Sequence, residues 1–142
     1  MANNRDLHNT LKYTFVGSAP EGASDNTALV GAIIDNLGFD ALEFLITTGV
    51  LADADATFAV LLEDGDDSGL SDAADVVDAH MLGSELIAGF DKDLDSSVQT
   101  LGYIGDKRYV RLTLTPSANT GLWDASIAAI QRASLRPSTP PT

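Results

Sequence analysis

Residues Tyr109–Thr115 alternate with period two. Val110, Leu112 and Leu114 are apolar, and Tyr109, Arg111, Thr113 and Thr115 interleave with them. Alternation with β-branched and aromatic residues specifies a strand buried on one face. Gly102, Gly105 and Asp106 punctuate its entry, and Pro116 is expected to stop it. A chain built around such a strand must supply further strands to hide the apolar face. The rest of the sequence is therefore read for partners.

Several segments answer. Leu11–Val16 alternates, with Leu11, Tyr13 and Phe15 on one side, and reads as a first strand or an extended arm that pairs with a neighbouring molecule. Gly17–Asn26 is a loop by composition, Thr27–Ile34 a short apolar strand, and Asp35–Gly38 a turn. In Phe39–Thr48, Leu42, Phe44 and Ile46 share a face, but Leu45 breaks the alternation. A run apolar on both sides suits a central strand covered on both faces. Thr57–Glu63 is a strand with Phe58, Val60 and Leu62 inward. After the turn Asp64–Gly69, Ser71 is placed to cap a helix. Ala74, Val77 and Met81 then recur at helical spacing, which predicts a short helix over Asp72–Leu82 closed by Gly83. Glu85–Phe90 reads as a weak strand, and Val98–Ile104 leads into the strand at Tyr109. Trp123–Leu135 fits a helix by its alanines and a strand by its alternation, and it is assigned as the last strand.

These elements predict a mostly β fold, a β-sandwich or jelly roll of about 7–8 strands with one short helix. Residues 1–10 are expected to form a flexible arm, 11–135 the sandwich domain, and 136–142 a proline-rich tail. At 142 residues and 44% hydrophobic content, the chain has enough apolar surface for one core. There is no cysteine, so disulfides and thiolate metal sites are excluded. The N-terminus is polar and no apolar run is long enough to span a bilayer, so neither secretion by the general route nor a membrane association is expected.

Charge narrows the partners. The chain carries −13 overall, with −12 of it in residues 53–95. Such a surface repels phosphate backbones, so no nucleic acid is expected as a partner. Lys107, Arg108 and Arg111 form the basic cluster of the strand at Tyr109. They read either as protection of a strand edge or as contacts to an acidic surface, on a partner protein or a second copy.

Motifs for chemistry are weak. Asp64–Asp75 matches a calcium loop at positions one, three, five, six, nine and twelve. It has Asp75 where the pattern wants a bidentate Glu, Ser71 where it wants an apolar residue, and a strand rather than a helix before it. It is read as a solvated turn, with no metal expected. The paired carboxylates Asp53/Asp55, Asp64/Asp66 and Asp91/Asp93 fall in polar loops that would not raise a pKa. His8 and His80 stand near no nucleophile motif, and no phosphate-cradling glycine loop follows a strand. The chain is expected to have no catalytic residue and no cofactor.

Three blocks together carry a resemblance. They contain Glu43-Phe44, Thr48-Gly49, Ala56-Thr57-Phe58-Ala59-Val60, the acidic Glu63–Asp67 with Ser71-Asp72, and Tyr103–Arg111, within residues 27–135. In this combination the chain resembles capsid accessory proteins of tailed bacteriophages, the cement or decoration proteins. The resemblance implies a sandwich or jelly-roll subunit used as a dimer or trimer, bound to the phage major capsid protein on the outer surface of the virion after synthesis in the bacterial host cytoplasm. It implies no catalysis. Leu11, Tyr13, Phe15, Lys107, Arg108 and Arg111 are the candidate contacts. The alternatives are a neck or tail component, or a receptor- or carbohydrate-binding sandwich module.

Overall fold

The computed structural model describes residues 5–133. It is a β-sandwich of two antiparallel sheets. Six long strands carry it: β1 (Leu11–Ser18), β4 (Phe39–Leu51), β5 (Thr57–Gly65), β9 (Val98–Tyr103), β10 (Tyr109–Ser117) and β11 (Trp123–Ala133). Five two-residue strands complete the edges: β2 (Leu29–Val30), β3 (Ile34–Asp35), β6 (Ala74–Asp75), β7 (Met81–Leu82) and β8 (Phe90–Asp91). One sheet runs β1-β11-β4-β9-β7. The other runs β2-β10-β5-β6, with β3 on β10 and β8 on β5.

Alternation fills the space between the sheets. Phe44, Ile46, Leu101, Ile127 and Ala129 from the first sheet face Leu62, Val110, Leu112 and Leu114 from the second, all at 1% exposure or less. Phe58 stacks on Phe90 at 4.8 Å and tilts against Trp123 at 5.2 Å, closing one end. At the other end Tyr103 of β9 crosses to β5, where its hydroxyl donates to Asp64 Oδ2 at 2.7 Å. The side between β1 and β10 is stitched by main chain. Gly31 N–H donates to the Leu112 carbonyl at 2.9 Å, and Ala32 N–H to the Val16 carbonyl at 3.0 Å. A Cβ on Gly31 would lie 2.5 Å from the Leu112 oxygen and 2.6 Å from Val16 Cγ1, so only glycine fits this crossing.

The mostly β sandwich and its principal strands stand as expected, Trp123–Ala133 among them. Ser134 and Leu135, together with the proline-rich tail, lie outside the described residues. Several local expectations are corrected. The helix expected over Asp72–Leu82 does not form; the stretch holds two short strands and a single 3-10 turn at Asp78–His80. The Asp72 carboxylate turns back to accept from the N–H groups of Asp66 and Asp67, at 2.8 and 3.2 Å. Ala74–Asp75 pairs with β5, and Val76 is buried while Val77 is exposed, which breaks the helical face. Three acids and two adjacent valines also make the segment a poor helix former. The helix lies instead at α2 (Glu85–Ala88), where a strand was expected. Ser84 Oγ caps it by accepting from Ile87 N–H at 3.1 Å.

Thr27–Ile34 is two short strands, because Gly31 and Ala32 leave the ladder to bridge the sheets. β10 continues through Pro116 to Ser117. Pro116 has the parity of Leu112, whose carbonyl faces the β2–β3 side, and beyond Leu114 that side has no strand needing a donor. β4 is central in its sheet but covered on one face only, so Leu45 is half-buried on the outside. Residues 7–10 of the expected arm form a single helical turn, α1 (Leu7–Thr10), capped by Asp6. No helix among the described residues is long and apolar enough to cross a membrane.

Candidate interaction surface

The outer face of the β1-β11-β4-β9-β7 sheet is built by the residues of non-core parity. Register places them in rows. One row is Tyr13, Ile130, Glu43, Gly102 and Leu82, and the next is Phe15, Ala128, Leu45 and Thr100. A third holds Ser126, Thr47 and Val98. Leu11, Arg132 and Ala41 border the face. Tyr13 is 58% exposed and Phe15 69%, with Leu82 and Val98 similarly open. A contiguous patch of exposed apolar residues marks an interaction surface more often than scattered single residues do.

Its electrostatics are unusual for so acidic a chain. Across these rows only Glu43 and Arg132 are charged. Glu43 lies over Gly102, where a Cβ would meet its Oε2 at 2.7 Å. Burial among apolar neighbours pushes its carboxyl above the ordinary range, and a hydrogen bond with Thr100 offsets this only in part. The acidic segments Asp64–Asp78 and Asp91–Asp95 lie at strand ends and loops, off these rows.

The six sequence-predicted contacts do not form one surface. Leu11, Tyr13 and Phe15 lie together on the outer face of β1. Arg111 projects from the outer face of the opposite sheet, where its Nη2 donates to Glu63 Oε2 at 2.6 Å across the β10–β5 ladder. Lys107 and Arg108 lie on the connection before β10. Lys107 Nζ donates to Asp66 at 2.7 Å. Arg108 donates through Nε and Nη2 to the two oxygens of Asp35 at 2.9 and 3.0 Å, and this hydrogen-bonding holds the Asp35 carboxyl below its usual range. All three bases thus have acidic partners within the chain. Sequence reasoning missed Leu45, Ala128, Ile130, Val98 and Leu82. The available signal was apolar residues on both parities of β4 and β11.

The calcium-like loop spends its carboxylates on partners within the chain, most of them its own backbone N–H groups. Asp67 accepts from Gly69 and Ser71 N–H, Asp72 from Asp66 and Asp67 N–H, and Asp64 from Tyr103. Among the described residues no group of three or more His, Asp or Glu side chains converges as metal ligands would.

No family model and no curated protein matches the chain. Among solved structures, it is similar to the CBM32 of AlyQ in complex with 4,5-unsaturated mannuronic acid, at 14% identity and a TM-score of 0.38, over 79% of this chain and 74% of that one. It is also similar to the CBM22-1–GH10 modules of Clostridium thermocellum xylanase 10B complexed with xylohexaose. That match has 15% identity and a TM-score of 0.41, over 91% of this chain and 26% of that one.

Proposed function

We propose that this chain is a non-catalytic β-sandwich binding module that works by adhesion to another protein. The observation that carries the reading is the outer face of the five-stranded sheet: rows rich in apolar residues, charged only at Glu43 and Arg132, and edged by Tyr13 and Phe15. A protein partner covering it would bury aromatic anchors of the kind that dominate interface energies. The acidic remainder of the molecule would stay in water and oppose non-specific clumping.

The sequence resemblance supplies the partner. In this reading the module sits on the outer surface of a tailed-phage capsid, holds major capsid subunits together, and acts as a homo-oligomer made in the host cytoplasm. Many weak contacts fixed by one shell then give a strong attachment. The test is cosedimentation with empty expanded heads of the same phage or prophage. The wild-type chain is expected to sediment with the heads and raise their survival on heating, and a Tyr13→Asp/Phe15→Asp variant is expected to do neither. Heads that fail to take up the wild-type chain would refute the capsid reading.

A second reading, a carbohydrate-binding module, is favoured by one feature. Tyr13 and Phe15 stand two residues apart on an open sheet face, the spacing of an aromatic platform on which sugar rings stack. Binding of the wild-type chain to a glycan array, lost in the same double variant, would select this reading over the first.

A further inference from the structure

Among the described residues, β1 is the one long strand with a neighbouring strand on a single side. The other sheet edges end in two-residue strands, a length that offers a second chain little to pair with. The ladder fixes which way the main chain of β1 faces. Ala19 N–H donates to the Ala125 carbonyl, so the odd residues of β11 turn their N–H and C=O groups toward β1. Thr48 N–H donates to the Ser97 carbonyl on the far side of β4, which gives the same parity through the β11–β4 register. Ala129 pairs with Thr14 and Gln131 with Lys12. Lys12 and Thr14 therefore spend their main-chain groups on β11, and Leu11, Tyr13 and Phe15 turn theirs to the open side. Beyond Phe15 the register shifts, and Ala32 N–H closes the edge by donating to the Val16 carbonyl at 3.0 Å.

We propose that β1 pairs antiparallel with β1 of a second copy about a two-fold axis at Tyr13, joining two five-stranded sheets into one. Outward-turned residues must meet outward-turned residues across such an axis. Centring at Leu11 or Lys12 runs Tyr13 or Phe15 against Asn9, which belongs to the α1 turn. Centring at Lys12 also sets the two Lys12 side chains directly opposite each other. Centring at Thr14 or Phe15 draws in Gly17, past the point where the edge is closed. The axis at Tyr13 uses all of the open stretch: Leu11 exchanges hydrogen bonds with the partner's Phe15, and Tyr13 with the partner's Tyr13. Lys12 then faces the partner's Thr14.

Charge and side chains suit a second copy at this edge. In a chain of net charge −13, β1 carries Lys12 and no acid, so two molecules meet there away from their acidic loops. Lys12 itself lies back over the Phe39 ring, with Nζ 5.5 Å from the centroid. No proline interrupts the strand. Leu11, Tyr13 and Phe15 carry their side chains on the outer face, so cross-strand pairs of apolar and aromatic residues form over the axis. The apolar rows of the two copies then run on without a break. Main-chain pairing of this kind is a recurring way for one chain to recognise another. The pairing deepens the homo-oligomer of the capsid reading and rests on it for the second copy, while its register comes from the strand alone.

The test uses the free full-length chain. Sedimentation equilibrium is expected to show a dimer with a Kd of roughly 10–100 µM. Amide exchange is then followed by NMR well below and well above that concentration. The amides of Leu11, Tyr13 and Phe15 are expected to slow about tenfold or more on dimerisation. Those of Lys12 and Thr14, bonded to β11 in either state, are expected to be slow in both. Thr14→Lys sets a lysine opposite the partner's Lys12 and is expected to raise the Kd about tenfold. Adding Lys12→Glu returns opposite charges to that pair and is expected to restore the dimer. A chain that stays monomeric at millimolar concentration, a dimer whose Tyr13 and Phe15 amides stay fast, or a Thr14→Lys defect that Lys12→Glu leaves in place would overturn the pairing. Cosedimentation with phage heads is scored separately. A monomeric chain that still binds heads refutes the pairing alone, and a dimer of this pattern that ignores heads refutes the capsid reading alone.

Discussion

Replacing Tyr103 by phenylalanine removes one oxygen from the joint between the two sheets. That hydroxyl donates to Asp64 Oδ2 at 2.7 Å and accepts from Lys107 N–H at 3.1 Å, with Tyr103 2% exposed and Asp64 9%. A hydrogen bond to a charged group contributes about 1.5–3 kcal/mol, and the stranded carboxylate and amide then keep their desolvation cost. The expected loss is about 2–3 kcal/mol, a large fraction of the stability of a domain of this size. With a urea m-value of about 2 kcal/mol/M, the unfolding midpoint falls by about 1 M or more while m stays constant. Asp64→Asn keeps an acceptor oxygen in place and is expected to cost less than Tyr103→Phe. The double variant should be less destabilised than the sum of the two, by at least about 0.5 kcal/mol, because one change weakens and the other removes the same bond. A Tyr103→Phe midpoint equal to wild type, or strict additivity with Asp64→Asn, would refute the view that this bond ties the sheets together.

Four further outcomes are expected. Gly31→Ala should lower stability by about 1–3 kcal/mol in thermal melts, since its Cβ would press on the Leu112 carbonyl at the crossing between sheets. Asp35, Asp53, Asp67 and Asp72 are held below the ordinary carboxylate range by hydrogen bonds, from Arg108 for Asp35 and from backbone N–H groups for the others. The stability they contribute is therefore complete above a pH of about 4 and is lost as pH falls through their lowered values, which a series of melts against pH would show. Glu43 has the opposite sign: its raised pKa penalises the folded state at neutral pH, and the penalty fades as pH falls through that pKa, so Glu43→Gln should raise the melting temperature at pH 7 and not in acid. Phe15→Asp should change stability by no more than about 0.5 kcal/mol while abolishing attachment, because the ring is exposed and serves no core.

The sandwich was legible wherever one strand face met the core and the other met water. β5 and β10 alternate cleanly and lie where the sequence puts them, and β11 follows its alternation rather than its alanine content. Legibility failed for segments whose conformation is set by distant atoms. The Asp72–Leu82 stretch has a helical spacing of apolar residues, but Asp72 is occupied by the loop before it and Val76 N–H donates to the Leu62 carbonyl of β5. The α2 turn is signalled locally by Ser84, yet its Glu85 also accepts from Leu62 N–H at 2.6 Å, a contact no window of sequence reveals. Half of the candidate surface was visible as Leu11, Tyr13 and Phe15. The other half was present in the sequence as broken alternation in β4, which suggested cover on both faces when it records an apolar face left open. Lys107, Arg108 and Arg111 stood out as a cluster, but pairing with Asp66, Asp35 and Glu63 depends on strand register and loop closure.

The measurement closest to the central claim is side-chain oxidation footprinting of the chain free and bound to expanded heads. Tyr13, Phe15, Leu82 and Val98 on the sheet face are compared with Leu37, Leu86, Ile87 and Leu122, which are also exposed but lie off it. Docking through the sheet predicts strong protection of the first set and unchanged oxidation of the second. Protection confined to Leu86 and Ile87, or none at any of these residues in a bound sample, would place the contact elsewhere and contradict the account.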